Sequence, residues 1–166
     1  MIELVEDAGA LARLAPDDIA RLTDSATAAT FYAASLSDEQ IAANKRIITI
    51  STASCAAAAA NPHQAFIAAF DHDRLAGFVI STRHAENDRE LDWLMVHPDF
   101  HGTAVSRLLM ERGIAWLGAD QPMWLNVIAF NHRAIRFYEK FGFAIDAAAR
   151  THHLVPHVIM RRPAIA

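Results

Sequence analysis

"VHPDFHGTAVSRLL", residues 96–109, is the stretch from which the fold is most directly read. Val96 closes an apolar run. His97-Pro98 then favours extended backbone and ends a strand. A turn follows with a glycine, Gly102, and the small residues Thr103 and Ala104, after which apolar residues recur at helical spacing to about Leu117. This is a strand, a turn and a helix. No acidic side chain stands between Gly102 and Arg107. The first turn of such a helix exposes unpaired N–H groups and a partial positive charge. An anion binds there without a cationic side chain, and small residues let the backbone come close to it.

On the C-terminal side, "MWLNVIA" (123–129) is a strand and "NHRAIRFYEKFGF" (131–143) opens a helix running to about Phe141, with Gly142 where a helix commonly ends. Terminal strands are expected near "FAIDAAA" (143–149) and "HHLVPHVIM" (152–160). On the N-terminal side, "QAFIAAF" (64–70), "LAGFVIST" (75–82) and "ELDWLMV" (90–96) are short apolar strands separated by the turns "DHDR" and "ENDR". Tight turns between successive strands make an antiparallel meander. Before Pro62 the chain is rich in Ala, Ser and Thr and reads helical. "LAPDDIARL" places Pro16 early in one helix with Asp17 and Asp18 in its first turn. A second runs from a Ser37–Gln40 capping box to Asn61-Pro62. "RIITI" within it is β-branched, so a strand there is the alternative. The expected class is therefore a mixed α/β domain. Its sheet is mainly antiparallel, flanked by helices, and spans residues 1–166 as one unit.

The composition agrees. A chain of 166 residues suits one domain and can bury about two-thirds of its unfolded surface. It is 53% apolar and 20% charged, which fits a globular chain. The net charge of −4 and the lack of a basic stripe argue against nucleic acid. The single cysteine, Cys55, cannot form an internal disulfide and fits a reducing compartment. "MIELVEDAGA" has no basic leader region, and no apolar run approaches the roughly 18 residues of a membrane span. A cytoplasmic protein without membrane contact is expected.

"VHPDFHGTAVSRLL" resembles the coenzyme A loop of the GNAT acetyltransferase superfamily, in which V-x-P leads to Q/R-x-x-G-x-G/A at a helix start. "NVIAFNHRAIRFYEKFGF" resembles its second motif, N-x-x-A-I-x-F-Y-x-x-x-G-F, with Asn131, Ala134, Phe137, Tyr138, Gly142 and Phe143 in place. The two occur in the family's order and cover about residues 91–143. The resemblance implies an N-acetyltransferase that uses acetyl-coenzyme A as co-substrate. It places the pyrophosphate over His101, Gly102, Thr103, Ala104, Val105 and Ser106. The pantetheine arm and acetyl carbonyl would lie along the backbone of Leu94, Met95 and Val96, with Asn131 bonding the arm. Three positions depart from the motif: His101 for Gln or Arg, Ala104 for the second glycine, and Ser106 for Gly or Ala.

Acyl transfer from a thioester to an amine needs a proton acceptor, an oxyanion site and a proton for the leaving thiolate. The resemblance makes Tyr138 the proton donor. Some relatives that modify protein N-termini carry a Glu twelve residues before this tyrosine; here Asn126 stands there and cannot act as a base. Asp92 and Glu90 lie on the strand where other relatives carry one, and Asp92 is the candidate. No metal is expected. Pro98 separates His97 from His101, and His152, His153 and His157 lack a Cys or carboxylate cluster to complete a zinc set. The expected partner is a small-molecule amine, favoured as a cation by the net negative charge, with a homodimer left open. Two other readings stand beside this one: a module of the same fold that binds acyl-coenzyme A without transfer, and an interaction domain that has lost the cofactor.

Overall fold

The computed structural model describes residues 1–165. Strands β2 (Gln64–Asp71), β3 (Arg74–Ala85) and β4 (Asp88–Val96) form the expected antiparallel meander. Their central residues are buried on both faces, including Phe66, Ile67, Phe78 and Val79. Continuous burial rather than alternation means that helices cover both sides of the sheet. One element was not legible in the sequence. The chain begins with β1 (Ile2–Glu6), paired antiparallel to β2 from Ile2↔Asp71 to Glu6↔Ile67, and continues into the short helix α1 (Asp7–Leu11). Glu3 and Glu6 break the apolar pattern of this edge strand, and charge is how an edge strand resists further pairing. Asp7, at φ 49°, turns the chain and accepts a hydrogen bond from Phe66 N at 2.9 Å.

Helices α2 (Asp18–Phe31) and α3 (Asp38–Ala60) follow. Pro16 lies just ahead of α2 rather than inside it. The Ser37–Gln40 capping box is formed in both directions, at 3.2 and 2.9 Å. Residues 46–50 are helical within α3, not a strand. Ile47 and Ile48 pack with Phe31, Ile128 and Val155, so tertiary burial overrides their β preference. In the alanine-rich end of α3, Cys55 and Ala58 lie flat against Phe66 and Phe78. The chain is completed by α4 (Val105–Leu117), β5 (Met123–Ile128), α5 (His132–Glu139), β6 (Ala144–Ile145) and β7 (His157–Arg162). The penultimate strand is only two residues long, because the chain turns at Asp146, whose carboxylate accepts from Ala148 N.

The sheet order is β1-β2-β3-β4-β5-β7-β6. All its pairs are antiparallel except β4–β5. One core lies between the sheet and α4 and α5, and another lies between the sheet and α1–α3. Gly113 sets the distance of α4 from the sheet. A Cβ there would stand 3.1 Å from Ser81 Oγ and 3.2 Å from Leu91, and Ser81 Oγ donates to Gly113 O. The second half of α4 is thereby held close against β3 and β4.

Candidate active site at the parting of two strands

The parallel strands β4 and β5 share one registered pair, Glu90↔Trp124, beyond which they separate. On its other edge β4 carries a bulge. From Phe78↔Met95 to Ile80↔Asp92, β3 advances two residues while β4 advances three. The extra residue is taken up at Trp93, whose φ is 46°. A bulky aromatic side chain in this region is strained, and such strain collects at functional sites. Asp92 helps hold the distortion: its Oδ1 accepts Trp93's own N–H at 2.9 Å. Past the bulge, His97 N–H is spent on Ala76 O across β3. Strand alternation then turns Val96 N–H towards the gap and Met95 N–H towards β3.

Asp92 is half-buried, and its carboxyl is pushed up to about 7. Burial is the main cause, the charge of Glu90 adds to it, and the bond from Trp93 N and the charge of His84 oppose it. Glu90 is 8% exposed and also raised by burial, against the pull of His84. His84 Nε2 lies 2.8 Å from Glu90 Oε1. The His84 ring stacks on Trp124, with centroids 6.0 Å apart and planes 19° from parallel. Trp124 Nε1 in turn donates to Asp88 at 2.7 Å. His153, from the segment before β7, also acts electrostatically on Glu90. The sequence singled out neither the bulge nor the His84–Glu90 pair. His84 and Glu90 are six residues apart across a turn, and only the hairpin register brings them together.

Tyr138, in the last turn of α5, is buried against Phe137 and Phe143. Its hydroxyl has no hydrogen-bond partner among the described residues. Burial first, and then the charge of Asp92, push it up to about 12. The structure thus brings the two sequence-chosen groups, Asp92 and Tyr138, within electrostatic reach of each other. One is poised to take a proton near neutral pH, and the other stays protonated there.

The turn before α4 is braced by Arg74, which bonds Asp99 at 2.6 Å and lies over the Phe100 ring. His101 N–H donates to Pro98 O and Thr103 N–H to Phe100 O, so neither is free. Val105 N–H is partly satisfied by Thr103 Oγ1 at 3.3 Å. The N–H groups of Gly102, Ala104 and Ser106 have no acceptor among the described residues. Gly102 has φ 77°, and a Cβ on it would meet nothing within 4 Å. Ala104 has φ −71° and ψ −10°, a conformation that does not call for glycine. The His101 ring accepts from Arg133 at 3.0 Å, and burial and that guanidinium hold it below the usual histidine range. Asn131 caps α5, its Oδ1 accepting from Ala134 N at 3.2 Å. Its amide NH2 has no acceptor among the described residues.

Cys55 lies in the core on the α3 side, and burial pushes its thiol up to about 12, which removes it as a nucleophile. The rings of His153 and His157 lie with centroids 4.1 Å apart and planes tilted by 30°. A hollow of about 550 Å³ between the ends of α4, α5 and β7 includes Glu111, Phe141 and Arg162 and none of the site residues above.

The model of the acetyltransferase (GNAT) family matches residues 23–143. An uncharacterized N-acetyltransferase of Mycobacterium tuberculosis is 36% identical over 100 residues, 58% of this chain; the match spans 63% of that relative's length. Among solved structures, the PaiA N-acetyltransferase of Thermoplasma acidophilum in complex with coenzyme A aligns with a TM-score of 0.72 at 21% identity, over 98% of this chain and 99% of the other. A GNAT-family acetyltransferase of Staphylococcus aureus Mu50 aligns with a TM-score of 0.71 at 15% identity, over 98% of each chain. These structural likenesses concern the fold.

Proposed function

The chain belongs to the acetyltransferase (GNAT) family, and from that premise we propose that it transfers an acetyl group from acetyl-coenzyme A to a primary amine of a small molecule. The observation that carries the reading is the pairing, at the parting of β4 and β5, of a carboxylate titrating near 7 with a buried, protonated tyrosine. Beside them a helix start offers free N–H groups.

Asp92 takes a proton from the incoming ammonium, leaving the free amine. The amine nitrogen attacks the acetyl carbonyl carbon, and the N–C bond forms as the carbonyl electrons move to oxygen. Val96 N–H stabilises that oxygen. When the C–S bond breaks, Tyr138 gives its proton to the thiolate and recovers one from the new amide nitrogen. The sum is one amide, one thiol and one proton, and the proton leaves from Asp92. Gly102, Ala104 and Ser106 N–H groups hold the pyrophosphate, with the α4 dipole adding to the attraction. Arg133, oriented by His101, stands beside that loop as a further cation.

The enclosure of the acceptor side supports a small amine. Gln40 Nε2 donates to Leu154 O at 3.2 Å and ties the segment before β7 to α3. Phe31, Ile128 and Val155 close the space beneath. The test is thiol release from acetyl-coenzyme A over a panel of small amines and peptides. Amine-dependent release, strongest with small amines, is expected. Acetyl-coenzyme A binding without release from any amine would instead make this a binding module.

Two predictions belong to this reading. Gly102→Glu puts bulk and negative charge into the open space over the loop. It should weaken acetyl-coenzyme A binding at least about tenfold, or about 1.4 kcal/mol. Gly102→Ala carries the same backbone strain without the charge and separates the two effects. Titration calorimetry on folded protein checks both, and unchanged affinity in the Glu variant would move the pyrophosphate elsewhere. Glu90→Gln removes the charge that raises Asp92. The acid limb of kcat/KM should then move to lower pH, and a limb that stays put would disconnect Glu90 from the titrating group.

A further inference from the structure

Asn126 Oδ1 is buried and has no hydrogen-bond partner among the described residues. A buried acceptor left unpaired is costly and rare, and calls for a reason. The strand register shows where it lies. Glu90 pairs with Trp124 in the parallel β4–β5 ladder. Two residues further along each strand, on the same face, come Asp92 and Asn126, level with each other just past the last pair. The register therefore places Asn126, with its unpaired oxygen, on β5 across the gap from Asp92, the residue whose carboxylate titrates near neutral pH. Trp124 and Ile128 flank it on the same face of β5, and Ile128 belongs to the apolar cluster with Phe31 and Val155. Nothing in the fold itself uses this oxygen.

We propose that Asn126 Oδ1 is a substrate-positioning acceptor: it takes one N–H of the incoming amine while Asp92 takes another, and so aims the nitrogen lone pair along the gap. This rests on the transferase reading above. An uncharged acceptor suits the place. A third carboxylate beside Glu90 and Asp92 would raise Asp92 further through like charge, whereas an amide oxygen orients the amine and leaves the proton to Asp92. A primary amine keeps an N–H for this contact throughout the attack; a tertiary amine offers none once deprotonated.

The test uses Asn126→Leu, similar in shape and without the acceptor, and Asn126→Asp, which keeps an acceptor oxygen. Three quantities are read: kcat/KM for n-butylamine and for the best amine of the panel, the affinity of each amine for protein saturated with coenzyme A, and the affinity for acetyl-coenzyme A. Asn126→Leu should lose about ten- to a hundredfold in kcat/KM and in amine affinity, the scale of one hydrogen bond to a charged or polarised group. Acetyl-coenzyme A affinity should be unchanged and the melting temperature equal or higher, since an unpaired acceptor has been removed. Asn126→Asp should recover activity at high pH, with its acid limb moved up by the added charge. Amine affinity and kcat/KM unchanged in Asn126→Leu would overturn the proposal, as would a fall in melting temperature together with weakened acetyl-coenzyme A binding. The amine titration needs no turnover, so the role of Asn126 is decided even if the transferase reading fails.

Discussion

Replacing Asp92 by Asn should lower kcat/KM by about a hundredfold to ten-thousandfold, the usual worth of a positioned general base. It should also erase the rise of kcat/KM with pH. In the wild type the base must be deprotonated, so activity climbs through about pH 7, where the Asp92 carboxyl titrates. The asparagine variant has no such group, and its residual rate should be flat through that range. The same change has a signature in stability. The folded carboxyl binds its proton more tightly than the unfolded one, so the stability it contributes is present at low pH and is lost as pH rises towards 7. Above that pH the wild type carries a half-buried charge that the variant lacks, and Asp92→Asn should melt no lower than the wild type there. The measurement is a pH–rate profile with matched melting curves at pH 5 and pH 8. A variant that keeps the wild-type acid limb would assign the base elsewhere, with Glu90 the nearest carboxylate.

Tyr138→Phe should lower kcat about a hundredfold, the low end for a general acid, because a thiolate can also leave without a full proton. The ring remains in its contacts with Phe137 and Phe143. The hydroxyl has no partner among the described residues, so its removal strands no buried group there and folding should be unchanged. Its role comes when the C–S bond breaks, so kcat should fall more than the affinity for either substrate. Burial, Glu90, Trp93 N–H and His84 set the proton affinity of Asp92, and Tyr138 does not, so the acid limb should stay where Asp92 puts it. Near wild-type turnover would make Tyr138 a packing residue and leave the thiolate's proton donor open.

How much of this was legible before folding differs from residue to residue. Helix ends were legible because their chemistry is local: the Ser37–Gln40 box and the Asn131 cap each act within four residues. The meander was legible because its strands are apolar and its turns polar. β1 was not, since its five residues carry two glutamates and gain their strand form only by pairing with β2. Tyr138 and the Gly102 loop were chosen through motifs. Asp92 was picked for its strand, and its unusual proton affinity comes from burial and from Glu90, which spacing alone does not reveal. The bulge at Trp93 has no glycine or proline to announce it. The gap between β4 and β5 is a property of two strands 34 residues apart at the one registered pair among the described residues, Glu90↔Trp124. The free N–H groups of the loop alternate with spent ones, so only three of the six loop residues expected from the sequence offer an unbonded N–H.

In the proposed reaction acetyl-coenzyme A and an amine meet at the parting of β4 and β5, and Asp92 accepts the proton. The most direct test pairs thiol release with mass-spectrometric detection of the acetylated amine, for wild type and Asp92→Asn across pH 5.5 to 8.5. The account predicts one acetylated amine per thiol released, a wild-type kcat/KM that rises through about pH 7, and a slow, pH-flat variant. Thiol release without acetylated product, or a variant that follows the wild-type profile at the wild-type rate, would contradict it.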